Sequence, residues 1–147
     1  MSNTYIIVKQ VTFLATEVEV WDLLTNPGKT KQYMYGCEVL SQWVVGAPIL
    51  WKGTTESGQE IIHVKGEITE IIPGKKVSFT MLDPNINIED IPENYVHLTY
   101  ELSSAESGTQ LQLTQDFTGT ENAETRYSES IQGWDMVLDG MKKLLER

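Results

Sequence analysis

Cysteine is almost missing from this chain: Cys37 stands alone among 147 residues. No internal disulfide can form, and a zinc site built on several thiolates is excluded. Long apolar runs are missing as well, none approaching the roughly 20 residues that cross a bilayer. The opening MSNTYIIVKQ has no basic stretch followed by an apolar one, so no secretory leader is expected and the cytoplasm is the expected compartment. Positive charge is scarce, since 11 Lys and Arg against 21 Asp and Glu leave a formal net charge of −10. Phosphate recognition relies on clustered cations that displace counterions, so nucleic acid and membrane are not expected partners. An acidic surface favours solubility and also suits a basic patch on a partner protein, and a monomer or homodimer is expected. No HExxH, GxSxG or phosphate-cradling glycine loop occurs, so no metal or cofactor is expected.

What is present is the composition of one ordinary domain over residues 1–147, without repeats or low-complexity tracts. Thr4 to Leu14 is rich in β-branched and aromatic residues and reads as a strand. Thr16 and Glu19 have capping-box spacing, and Val20, Leu23 and Leu24 follow at helical intervals. Pro27 cannot sit inside a helix, yet it suits the first turn of a new one with Asn26 as N-cap, so two short helices at an angle are predicted. From Glu38 the period changes to two: Ile49, Trp51, Gly53; Ile62, Val64, Gly66, Ile68; Val77, Phe79, Met81; Val96, Leu98, Tyr100, Leu102; Leu111, Leu113, Gln115, Phe117. Short breaks with turn residues make these antiparallel hairpins, dry on one face and wet on the other. The stripe Tyr127, Ile131, Trp134, Leu138, Met141, Leu145 predicts a helix over roughly Glu121 to Glu146 to cover the dry face. Thr118 and Glu121 have capping-box spacing near its start, and Lys142, Lys143 and Arg147 place positive charge at its end. The expected class is α+β: strand, helix pair, six further antiparallel strands, long helix.

Local motifs carry a resemblance over nearly the whole chain. ATEVEVWDLLTNP (Ala15 to Pro27), VVG (Val44 to Gly46), GEITEIIP (Gly66 to Pro73), GTQLQLTQ (Gly108 to Gln115) and Gly133-Trp134 are similar to homologues of the heat-shock-protein-90 ATPase activator. That family lies within the START-like, helix-grip superfamily. Where members often carry a tryptophan in the second helix, Tyr33 and Tyr35 stand here, and Gly46 is followed by Ala47-Pro48 instead of a second glycine. The resemblance implies a seven-stranded curved sheet wrapped around the C-terminal helix, with a cavity between them. In the superfamily such cavities hold lipids, hormones and polyketides. It also implies a chaperone as an alternative partner, and less directly a cyclase or hydro-lyase chemistry.

The expected function is binding of a small hydrophobic or amphipathic molecule without catalysis, through Trp51, Phe79, Tyr100, Gln115, Tyr127, Ile131 and Trp134. Gln115 is the sharpest of these, because alternation places an amide on the dry face. It either satisfies neighbouring protein groups or orients a ligand, and in the second case Gln115→Leu keeps or raises stability. The aromatics are equally read as core filling. His63 and His97 alternate with the apolar stripes and are expected to face solvent. Cys37 reads as a small buried apolar residue. Asp83 to Asp90 begins like a calcium loop but has Ile88 where glycine belongs and Asn94 where a bidentate glutamate belongs. Its Ile86, Ile88 and Ile91 either lid the cavity or cap the core.

Overall fold

The computed structural model describes residues 4–146. Thr16 opens the first helix with both halves of the predicted capping box: the Glu19 amide donates to Thr16 Oγ1 (3.2 Å) and the Thr16 amide to Glu19 Oε1 (3.1 Å). The helix that follows, α1 (Glu17–Thr25), buries Val20, Leu23 and Leu24. Asn26 then ends α1 and caps α2 (Pro27–Tyr33), its Oδ1 accepting from the Gly28 amide at 2.9 Å. The corner is therefore made by one side chain that terminates one helix and starts the next.

Before these helices lies β1 (Ile6–Phe13), and after them come β2 (Glu38–Ser41), β3 (Pro48–Thr54), β4 (Glu60–Ile72), β5 (Lys76–Met81), β6 (Val96–Ala105) and β7 (Gly108–Asp116). They form one seven-stranded antiparallel sheet in the order β1-β7-β6-β5-β4-β3-β2. Strands two to seven are thus a meander, and β1 joins its far edge, Ile6 opposite Asp116 and Phe13 opposite Thr109. Most of the expected inward residues are buried, among them Ile49, Trp51, Ile68, Val77, Phe79, Leu98, Tyr100, Leu111 and Leu113, whereas Ile62, Val64 and Gly66 on β4 and Met81 on β5 are only half-buried.

The curvature is concentrated in β4. Opposite β3 its register slips between Trp51 and Lys52, leaving His63 as an extra residue, and opposite β5 it slips again so that Thr69 is extra. Each slip is a bulge that bends the strand and increases its twist. Gly66 lies between them, and a Cβ there would stand 1.6 Å from the Thr80 carbonyl oxygen. Only glycine lets β5 come this close.

The long helix α3 (Ala123–Leu145) buries Trp134, Val137 and Met141, with Tyr127, Ile131, Leu138 and Leu145 packed against the same core. Its start corrects the expected capping box. Asn122 turns through left-handed backbone (φ 56°) and no side chain caps the first turn, because Thr118 and Glu121 are used elsewhere. Thr118 Oγ1 accepts from the Tyr5 amide (3.0 Å), and the Glu121 amide donates to Asn94 Oδ1 (2.9 Å). Lys142 and Lys143 do occupy the last turn; Arg147, expected beside them, lies outside the described residues.

Thr30, fully buried on α2, ties the helix pair to the sheet. Its hydroxyl donates to the Cys37 carbonyl and accepts from the Val39 amide, both at 3.0 Å. Thr30→Val keeps the shape and leaves both partners unpaired, so urea unfolding should show a loss of about 1 to 3 kcal/mol. An unchanged midpoint and slope would remove this hydroxyl from the ties that hold the wall described next.

Candidate functional site

Because the sheet curls away, α3 stays close to β1 and to the helix pair and stands off from the strands beyond. The gap is a chamber of about 320 Å³. Its sheet side is made by Trp51 on β3, His63 and Val64 on β4, Met81 on β5 and Leu98 and Tyr100 on β6. Trp134 closes it from α3, and Met34, Tyr35 and Cys37 from the segment that Thr30 anchors. Tyr100 meets Trp134 edge-on, with centroids 6.3 Å apart at 88°. Tyr35, 65% exposed, lies across one side of the wall and donates to the Gly133 carbonyl of α3 at 3.4 Å.

Gln115 on β7 projects from the dry face, as its place in the alternation requires. Trp134 Nε1 donates to Gln115 Oε1 at 2.5 Å, and Gln115 Nε2 donates to the Met81 thioether at 3.7 Å. Two smaller chambers of about 280 and 250 Å³ adjoin this pair. Gln115 lines both, and each shares residues with the central chamber: Trp134 and Tyr35 in the first, Val64 and Met81 in the second. The hydrogen bond thus stands where three spaces meet. It also answers the question of Gln115 in part, because its oxygen satisfies a buried protein donor while its amide nitrogen has only a weak thioether acceptor.

Two polar atoms in the chamber's own side chains are buried without any partner, Trp51 Nε1 and the Tyr100 hydroxyl. Each such atom costs on the order of 1 to 3 kcal/mol. Desolvation drives the Tyr100 phenol far above its ordinary range. It does the same for Tyr33, with the nearby Tyr100 adding to the shift, although the Tyr33 hydroxyl has a partner in the Leu23 carbonyl at 2.9 Å. Burial likewise raises the Cys37 thiol, which keeps it protonated and weakly nucleophilic.

His63 corrects the reading of a solvent-facing imidazole. The bulge at Trp51 breaks the period of two and turns His63 onto the chamber wall beside Val64. Gly53 makes room for it: a Cβ at Gly53 would come within 2.9 Å of His63 Nε2. Ile62, counted in the apolar stripe, instead pairs with Lys52. His97 is exposed on the outer face as expected.

Of the residues expected to bind ligand, Trp51, Tyr100, Gln115 and Trp134 are brought together. Phe79 is buried and packs on Tyr100 (6.1 Å between centroids) without lining the chamber. Tyr127 and Ile131 line a separate groove against β1, where Tyr127 also meets Tyr5 at a tilt and Phe117 edge-on. Met34, Tyr35, Met81 and His63 were not expected at the wall. A methionine at the end of a strand stripe and an aromatic just after a helix carry little sequence signal.

The loop after β5 holds no calcium geometry. Asp83 Oδ1 accepts from the Asn85 amide (2.8 Å), and Asn94 binds the Glu89 carbonyl and the start of α3. Ile86 lines the 250 Å³ chamber and so belongs to the cavity rim. Among the described residues no three of His, Cys, Asp and Glu gather closely enough to hold a metal ion, and no helix is long and apolar enough to cross a membrane. A larger, more open groove of about 560 Å³ runs over the outer face past Lys65, Asp90, Tyr95 and His97. Three of its polar groups bond one another, since Asp90 accepts from Lys65 and from the Tyr95 hydroxyl (2.7 Å).

Residues 15–146 match the family described as Activator of Hsp90 ATPase homolog 1-like protein. The chain belongs to that family. No curated protein matches it by sequence. A solution structure from Cytophaga hutchinsonii is 32% identical, covering 99% of this chain and 97% of that one with a TM-score of 0.78. Crystal structures from Mesorhizobium loti and Chromobacterium violaceum are each 20% identical, with TM-scores of 0.72 and 0.74. They cover 97% of this chain, and 97% and 98% of their own chains respectively. These share the fold, the START-like helix grip.

Trp134 can only donate, so deleting its acceptor strands a buried N–H. Gln115→Leu in this family member should therefore lower stability by about 1 to 3 kcal/mol in urea unfolding, against the expectation of unchanged or raised stability. A midpoint equal to or above the parent's would show that Trp134 finds another acceptor.

Proposed function

We propose that the chain binds a small hydrophobic or amphipathic molecule in the chamber between sheet and α3 and performs no chemistry on it. The observation that carries the reading is a 320 Å³ space with an almost wholly apolar wall, whose polar atoms are few and incompletely paired. Such a wall fits the general pattern of small-molecule sites, at the small end of their usual size. No carboxylate lines this chamber, and His63 has no hydrogen-bond partner among the described residues. A lone imidazole beside a protonated thiol offers no acid–base pair for a cyclase or hydro-lyase. The cytoplasm is the proposed compartment, with the protein acting as a monomer or homodimer and without nucleic acid.

Membership in the activator family supports a second reading, a co-chaperone-like module that works through its outer surface. The two readings separate cleanly. Native mass spectrometry of protein isolated from its own host should show an added mass of one small molecule that is lost on denaturation. Addition of the protein to a cognate chaperone should leave ATP hydrolysis unchanged. A clear, saturable rise in hydrolysis together with bare protein in the spectrum would reverse the ranking.

A further inference from the structure

Apart from the His63 imidazole, which can donate or accept, the chamber wall's polar atoms with unused capacity all offer a proton. Trp134 is an indole and cannot accept, so its bond to Oε1 fixes the way the Gln115 amide faces. The NH₂ group is thereby turned toward Met81, whose sulfur at 3.7 Å is a weak acceptor for one of two N–H groups. Trp51 Nε1 is donor-only, and the Tyr100 hydroxyl carries a proton with nowhere to go. A wall of this kind is completed by an acceptor.

Charge narrows the class. Neither Lys nor Arg lines the central chamber. Arg126 lines the adjoining one, but its Nη1 is given to the Asn94 and Glu121 carbonyls, and Asp83 and Glu129 line the same space. Desolvation already works against the Arg126 charge. A carboxylate placed there meets two like charges for one guanidinium, and one placed in the central chamber meets neither Lys nor Arg, only the His63 imidazole, whose charge would itself have to be held in an apolar wall.

Resting on the ligand-binding reading above, we propose that the cavity takes an uncharged, compact, mostly apolar molecule by a carbonyl or ether oxygen, held by Gln115 Nε2, Tyr100 and Trp51, and excludes carboxylates. The two unpartnered donors lie covered within the wall. The oxygen reaches them as the wall relaxes, for which the unbranched Met34 and Met81 side chains are suited.

The test uses three probes of similar shape: the bicyclic ketone tetralone, its hydrocarbon tetralin, and naphthoate. Titration followed by calorimetry should show tetralone binding about tenfold more tightly than tetralin, the worth of one good hydrogen bond, and naphthoate binding more weakly than either. The Trp51 indole N–H resonance should move with tetralone and not with tetralin. Tyr100→Phe should remove most of the ketone's advantage over tetralin and keep or raise the melting temperature, because it deletes an unpaired buried hydroxyl. Equal binding of ketone and hydrocarbon, or tightest binding of naphthoate, would overturn the acceptor proposal while the cavity reading stands. Failure of all three probes to bind would bring down the cavity reading, and this proposal with it.

Discussion

The whole arrangement depends on one constraint, that β4 cannot run straight. Two extra residues, His63 and Thr69, and a glycine pressed against the Thr80 carbonyl oblige thirteen residues to bend and twist where a flat strand would have let α3 settle on the sheet. With the strand bent, α3 can lie close to β1 and the helix pair but not to the middle of the sheet. The cavity is the volume left over by that mismatch. It needs no separate device to make it.

A gap of this kind has to be held open, and the polar side chains do that. Trp134 and Gln115 span it with one short bond. Thr30 fixes the segment that carries Met34, Tyr35 and Cys37, while Asn94 fixes the loop after β5 to the Glu121 amide just before α3 and, by its carbonyl, to Arg126 in the first turn of α3. These ties lie on the perimeter, where both partners are protein. Two polar atoms of the wall's own side chains are different. Trp51 Nε1 and the Tyr100 hydroxyl stay unpaired at a cost to stability, although at Tyr100 phenylalanine would fill the same place without the buried hydroxyl. Stability given up at one spot inside an otherwise consistent core is the usual mark of a site.

Membership in the activator family adds the fold and a candidate partner, and the cavity adds a candidate ligand. The two draw on different parts of the molecule. The chamber is internal and apolar, while any protein contact must use the acidic exterior or exposed side chains such as Val18 and Met136. Nothing in the packing obliges one to exclude the other.

By itself the sequence determined the elements and their faces. Period two along each strand, a helical stripe from Tyr127 to Leu145, and the Thr16 and Asn26 caps are local facts, set by backbone geometry over a few residues. The corner at Asn26-Pro27-Gly28 was legible for the same reason. Only the tertiary structure decided the rest. A bulge is defined against the partner strand, so the turn of His63 onto the cavity wall was invisible to a count along β4 alone. The left-handed turn at Asn122 took Thr118 and Glu121 to distant partners and undid a capping box that local spacing favours. Tyr127, Ile131 and Trp134 share one helical stripe, yet the tilt of α3 over a curled sheet sends the first two to β1 and the last to the chamber. Gln115 was readable as inward, but its meaning rests on an indole that can only donate, nineteen residues away in sequence and 2.5 Å away in space.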